Sequence, residues 1–335
     1  MKQLNERGGL LGRPVELLAR DGQSDPAVIA EATRELVRVP GLTAITGLND
    51  TEMALAVAPI AEKARMVFLT SGATSPLVPI QFPRDYFMTC FGDNTQAAAG
   101  AEYAHGTLGA KTAWLLLDNT TDFTVLLARY FRERYTELGG SVVGEDTYAG
   151  GTADFSTQIA RILALPTPPD MLYVSSVPDD IGRLVKQLRA AGLHQPIVGG
   201  DGYDTPLLVE VAGAAADNTY FTTHAFLDPQ QGTPAVRQFM ADYQAEYGTR
   251  PDTAFAALSY DAVMLLAKAI ERAGSAKQKS TAEALEATAG FGGVTGSISF
   301  GPGAHLPDKD VTIVKIVGTT LTLAAVTRPQ KVPPP

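Results

Sequence analysis

Short apolar runs of strand type alternate with helical runs along the first two thirds of the chain, and this order restricts the fold more than any other feature. Strand-like residues 15–19 precede a helical run, 27–38, in which Val28, Ala32 and Leu36 recur at helical spacing. The apolar run 42–45, the helical run 52–64 and the apolar run 66–70 follow directly. Such β-α-β-α-β order calls for a parallel, doubly wound α/β sheet. A second series starts after residues 87–91, with helices at 95–108, 125–138, 155–165 (Asp154 as N-cap), 181–191 and 206–213. Its strands fall at 112–117, 141–147, 171–174, 196–198 and 219–223. The helical runs 234–247, 253–273 and 281–289 have no strands between them, so they must cover sheet already formed. Strands at 296–300, 311–317 and 320–324 end the chain, the last two as a hairpin. The expectation is two lobes discontinuous in sequence: 1–90 with 226–303, and 91–225 with 304–328. The chain would cross between them at 89–94, 222–226 and 300–310, and residues 329–335 would fray.

Composition excludes several classes. With 45% hydrophobic and 19% charged residues over 335 positions, the chain has ample material for a globular core. A net charge of −9 with scattered basic residues argues against nucleic acid or an anionic membrane as partner. No apolar run is long enough to span a bilayer, and Met1 is followed by polar sequence instead of a signal peptide. The single cysteine, Cys90, permits no intrachain disulfide and reads as a packed core thiol. His105, His194, His224 and His305 lie far apart, with none at ligand spacing, so no metal is expected. No phosphate loop, dinucleotide fingerprint or nucleophile elbow occurs, so no cofactor and no catalytic residues are expected.

Two loops at strand ends have the composition of a binding site. The apolar run that starts at Val67 stops in Ser71, Gly72, Ala73 and Thr74. Gly72 lets backbone approach a ligand, the hydroxyls are donors, and successive free N–H groups would form an anion nest. The loop at 47–51 opens the helical run 52–64, with Asp50 or Thr51 as N-cap and the positive helix end beside the same crevice. Together they suggest a carboxylate site. Asp201 follows a strand directly, between glycines at 200 and 202, and reads as the acceptor for an ammonium. Phe123, Tyr148, Val177 and Tyr203 stand at loop tips near other strand ends and complete the candidate ligand contacts.

These stretches together resemble the leucine/isoleucine/valine-type branch of the type I periplasmic solute-binding proteins of ABC transporters. The resemblance rests on Gly12-Arg-Pro-Val-Glu-Leu with Asp25-Pro26, the Ser71-Gly-Ala-Thr74 loop and Thr89-Cys-Phe-Gly-Asp-Asn-Thr-Gln96. It rests equally on Asp118 to Phe123, Gly199-Gly-Asp-Gly-Tyr203 and Ala256-Ala-Leu-Ser-Tyr-Asp-Ala262. It implies two α/β lobes, joined by a three-crossing hinge, that close on an amino acid. The family's carboxylate contacts fall on Thr51 and on Gly72, Ala73 and Thr74, its ammonium contact on Asp201, and its turn aromatic on Phe123. Two departures stand out. The family's first strand, its ligand-contacting loop and most of its first helix have no counterpart here, as in an incomplete version of a longer protein. Val177-Pro178 stands where some amino-acid binders carry aromatics. The implied function is non-enzymatic capture of a small zwitterion, an aliphatic amino acid above all, for an ABC permease partner in the periplasm or outside the cell. One alternative is a ligand-sensing regulator or receptor domain on the same fold, binding an amide or other small polar solute. A two-lobed α/β enzyme would need a nucleotide or metal motif that this sequence lacks.

Overall fold

The computed structural model describes residues 1–335. In chain order the elements are α1 (Lys2–Glu6), α2 (Pro26–Leu36), β1 (Ala44–Gly47), α3 (Thr51–Ala64), β2 (Val67–Thr70), α4 (Val78–Gln81) and β3 (Tyr86–Met88). Next come α5 (Asp93–Glu102), β4 (Thr112–Asp118), α6 (Asp122–Glu137), β5 (Ser141–Tyr148), α7 (Ser156–Leu163), β6 (Met171–Ser175), α8 (Pro178–Ala190), β7 (Ile197–Gly199), α9 (Pro206–Ala212) and β8 (Thr219–Thr223). The chain ends with α10 (Pro234–Tyr247), α11 (Ala254–Ala273), α12 (Gln278–Glu286), β9 (Phe291–Gly293), β10 (Gly296–Ile298), β11 (Val311–Val317) and β12 (Thr320–Thr327). No helix is long and apolar enough to cross a membrane. The backbone divides into two compact units, residues 1–92 with 255–309 and residues 93–254 with 310–335.

The first unit is built on a three-stranded parallel sheet in the order β1-β2-β3. Strand side chains alternate between faces. Phe68 therefore packs with Ala54, Val57 and Ala61 of α3, while Val67 and Leu69 pack with Leu265, Ala269 and Leu285 of α11 and α12. Residues 15–19, expected as a strand, form no ladder. A strand is held by a neighbouring strand, and here the amide of Asn5 does that work at one position, exchanging hydrogen bonds with the Val15 N–H and C=O at 2.7 and 2.9 Å.

The second unit has a seven-stranded sheet in the order β12-β11-β8-β7-β6-β4-β5. The five strands from β8 to β5 run parallel, and the hairpin β11–β12 joins β8 antiparallel. Trp114, Leu116, Leu172 and Val174 face a core closed by α7, α8 and α9, whereas Ala113, Leu115, Met171 and Tyr173 face one closed by α5 and α6. Buried on both faces, these strands read as continuous apolar runs. Helix α5 ends in a π-helical turn at Tyr103–Thr107 instead of running on as α-helix to 108. Phe155, not Asp154, is the N-cap of α7; Asp154 accepts the Ser156 N–H from one residue further back.

The first boundary falls two residues later than expected, at 92/93, and the unit boundaries differ further at two places, each with a local cause. Residues 226–254 fall in the second unit, where the Asp204 carboxylate accepts the Ala254 N–H at 3.0 Å. Residues 304–309 fall in the first. There the His305 ring stacks on Phe87 at 3.9 Å, and the buried Lys309 ammonium donates to the Thr89 carbonyl and to Thr295 Oγ1. Residues 329–335 are docked, not frayed. Glu102 accepts the N–H groups of Gln330 and Lys331, Asn94 Nδ2 donates to the Pro333 carbonyl at 2.9 Å, and Lys331 pairs with Glu137.

Candidate functional site

In the first unit the expected residues gather at the carboxyl ends of β1 and β2, where ligands bind in open α/β sheets. Leu48 follows β1 in the left-handed region, at φ 63°. Its carbonyl accepts from Thr70 Oγ1 at 2.8 Å and from the Gly72 N–H at 3.2 Å, and these bonds hold the conformation. Ser71 Oγ donates to Asn49 Oδ1 at 2.9 Å, its N–H donates to the Gly47 carbonyl, and the Ala73 N–H donates to Thr70 Oγ1. The Ser71, Gly72 and Ala73 amides are thus committed to the preceding loop and to Thr70, and the anion nest expected from free N–H groups is not formed by them. Gly72 is required by crowding: a Cβ there would stand 2.7 Å from the Phe255 ring and 2.8 Å from Asn49 Oδ1. Thr74 is buried and stands outside this network.

Thr51 is the first residue of α3, 3% exposed, and its Oγ1 is buried with no hydrogen-bond partner. Asp50 precedes it as N-cap without a side-chain capping bond. A buried, unpaired hydroxyl costs free energy. At the positive end of a helix of 14 residues, it is suited to donate to an anion.

In the second unit the expected residues lie at the carboxyl ends of β4, β5, β6 and β7. Tyr148 ends β5 and donates its hydroxyl to Ser176 Oγ at 2.6 Å. Burial, with Asp180 and Asp118 nearby, pushes that phenol well above its usual range. Val177 is the N-cap of α8 and is partly exposed. Phe123 is half-buried in the first turn of α6, and a Cβ placed on Gly202 would stand 3.3 Å from its ring. Gly202 admits no side chain, because a Cβ would stand 2.5 Å from the Ser176 carbonyl. Phe123, Tyr148, Ser176 and the 201–202 turn therefore form one neighbourhood. Tyr203 belongs to the core instead: it is 1% exposed and donates to the Val174 carbonyl at 2.5 Å.

Asp201 is 2% exposed and held on both carboxylate oxygens. Gln96 Nε2 stands 2.8 Å from Oδ1, and His224 Nε2 stands 3.0 Å from Oδ2. Gln96 and His224 escaped the sequence reading. Gln96 stands in the sequence only as the last residue of a family-like stretch, with no role attached, and His224 only as a metal ligand that lacks partners. A signal for His224 existed in the strand order, since β7 and β8 are parallel neighbours and the two residues follow their respective ends. Asp204, at the same turn, accepts from Thr223 Oγ1 and the Ala254 N–H, and burial raises its carboxyl to about 6. No cluster of side chains suited to a metal ion occurs in the structure.

Residues 1–320 match the sequence profile of a family described as periplasmic binding protein. The Leu/Ile/Val-binding protein BraC3 of Rhizobium johnstonii is 25% identical over 314 residues, covering 93% of this chain and 83% of that protein. The leucine-, isoleucine-, valine-, threonine-, and alanine-binding protein of Pseudomonas aeruginosa is 24% identical over 314 residues, covering 93% and 82%. Among solved structures, the leucine binding protein LivK of Thermotoga maritima aligns with a TM-score of 0.88 and 33% identity over 97% of this chain and 91% of its own. LivJ of Streptococcus pneumoniae, a branched-chain amino acid transporter substrate binding protein solved with isoleucine, aligns at 0.89 with 28% identity over 98% and 91%.

Proposed function

The chain belongs to the periplasmic binding protein family, and from that premise we propose that it captures a small zwitterion, an aliphatic amino acid of the leucine, isoleucine and valine class, for delivery to an ABC importer. The observation that carries this reading is the unpaired, buried Thr51 hydroxyl at the start of α3, beside the Ser71–Thr74 loop. That donor, with Thr74, suits a carboxylate. Asp201 of the second unit suits an ammonium, and an amino acid carries both groups. Phe123 and Val177 supply apolar surface for its side chain, while Tyr148, whose hydroxyl is spent on Ser176, contributes shape. The names of the similar proteins, and the isoleucine in LivJ, support the same ligand class. Capture is non-covalent, so the protein acts as a binder and not as an enzyme. It works outside the cytoplasm, with a membrane permease as partner.

Calorimetric titration with L-leucine, L-isoleucine and L-valine tests the reading, against 4-methylpentanoate and 3-methylbutylamine as ligands that each lack one charged end. A zwitterion should bind at least about tenfold more tightly than either half, since a lost charged hydrogen bond is worth roughly tenfold or more. Equal binding of the amino acid and its deaminated analogue would remove Asp201 from the site. Absence of any amino-acid binding would remove the function.

A further inference from the structure

Asp201 differs from an ordinary acid at a strand end in how completely its surroundings are arranged. The Gln96 side chain uses all its hydrogen-bonding capacity at one junction. Nε2 donates to Asp201 Oδ1 at 2.8 Å and to Asp93 Oδ1 at 3.1 Å. Oε1 accepts from the Asp201 N–H at 3.0 Å and from Thr222 Oγ1 at 2.7 Å. The reverse amide orientation would aim Oε1 at two carboxylates, so the network fixes the orientation. Gln96 thereby holds Asp201 by backbone and side chain together and ties the turn after β7 to α5 and β8.

The remaining oxygen, Asp201 Oδ2, faces His224 Nε2 at 3.0 Å, and the His224 side chain is wholly buried. A carboxylate offers only acceptors, so the hydrogen in this bond is on Nε2. Asp93, Asp204 and the Tyr173 phenol are ionisable groups near Asp201. None of the three supplies a cation to the carboxylate. The imidazole is therefore the group that fixes where Oδ2 points.

We infer that His224, with Gln96, is a positioning residue that sets the preference of the second unit for an amine-bearing ligand. The inference rests on the amino-acid reading and deepens it. The imidazole need not touch the ligand; it acts through the carboxylate, holding Oδ1 and Oδ2 in the orientation an ammonium meets. The preference for a zwitterion over its deaminated analogue should then depend on His224 even though no ligand atom reaches it.

The test compares L-leucine with 4-methylpentanoate by calorimetry on the full chain and on His224→Phe and His224→Gln, with the melting temperature of each. Glutamine can place its Nε2 near the position of the imidazole Nε2; phenylalanine keeps the bulk and removes the donor. The expected result is a loss of about tenfold or more in leucine affinity for His224→Phe, the scale of a hydrogen bond to a charged group. Binding of 4-methylpentanoate should stay within about twofold, and His224→Gln should regain most of the leucine affinity. Parallel loss of both ligands in His224→Phe, or failure of His224→Gln to restore leucine, would reduce His224 to a packing role and overturn the inference. Unchanged leucine binding in His224→Phe would overturn it while leaving the amino-acid reading intact. If the parent chain binds no amino acid, the functional reading and this inference fall together.

Discussion

The two units present opposite solutions at the ends of their strands. In the first, Leu48, Thr70, Ser71, Gly72 and Ala73 satisfy one another, and the Thr51 hydroxyl is left buried without a partner. In the second, Asp201 has a donor on each oxygen, and its Gln96 partner is itself saturated. One site carries unspent capacity that burdens the folded chain; the other carries a charge whose surroundings are complete. A carboxylate held at the first strand end would relieve an unpaired group, and an ammonium held at the second would have to share an acceptor. Stability and affinity should therefore respond to mutation in opposite ways on the two sides.

The strongest way to sharpen that contrast is Asp201→Asn. Truncating one partner of a buried charge pair costs about 2–5 kcal/mol of binding, so leucine affinity should fall by at least about thirtyfold, and by more than in Phe123→Ala, which removes apolar contact alone. The same change turns one of two acceptor positions into a donor facing the nitrogen of Gln96 or His224, so the melting temperature should fall with affinity. A variant that melts lower yet binds leucine as tightly as the parent would show that the network is structural and the ammonium goes elsewhere.

Thr51→Val with Thr74→Val should separate the two quantities. Removing hydroxyl donors to an ionised carboxylate should cost roughly 1.5–3 kcal/mol each in affinity. Yet Thr51→Val deletes an unpaired buried hydroxyl at nearly constant volume, so the ligand-free protein should gain about 1 kcal/mol and melt a few degrees higher. Calorimetry with and without leucine reads both signs. A lower melting temperature in the ligand-free variant would mean that Thr51 already holds something in the fold, and the contrast between units would collapse.

Strand positions were legible because doubly buried parallel strands appear as apolar runs between helical periods; β2, β4, β6 and β8 fall where those runs lie. What failed depends on non-local partners. Residues 15–19 carry strand-type residues, but a ladder requires a second chain segment beside them. Amphipathicity says that α10 packs on something without saying which sheet, and the Asp204–Ala254 bond that anchors the end of its segment has no local signature. The proline-rich tail looks free until Glu102 and Asn94, more than two hundred residues earlier, are placed beside it. Among the candidate site residues, the placement of Thr51 at a helix start and of the 71–74 loop at a strand end was legible, because such loops and helix starts declare themselves. The commitment of the Ser71, Gly72 and Ala73 amides was hidden, because it depends on the left-handed turn at Leu48. Tyr203 shows the converse: a residue at a loop tip in sequence whose ring turns back into the core.

The smallest effect concerns Asp204, the second acid of the 201–204 turn, and it asks whether that turn is wholly optimised. Thr223 Oγ1 and the Ala254 N–H both donate to the same oxygen, Oδ2, at 2.6 and 3.0 Å. Desolvation dominates, with Asp201 adding repulsion, and the carboxyl rises to about 6 against a usual value near 3.9. A folded-state value above the unfolded one means that the native state binds more protons between those limits. The contribution of this group to stability is therefore fully present below about pH 4 and lost as pH rises through about 6. Asp204→Asn keeps one oxygen for both donors and removes the ionisation. Its melting temperature should exceed that of the parent at pH 7.5, with a ceiling of about 3 kcal/mol set by two units at 1.36 kcal/mol each, and should converge with the parent near pH 4. Thermal melts of both proteins across pH 4 to 8 without ligand give the difference directly. If Asp204→Asn melts below the parent at pH 7.5, the ionised carboxylate is stabilising where it stands, and the second unit is built around two useful charges instead of one.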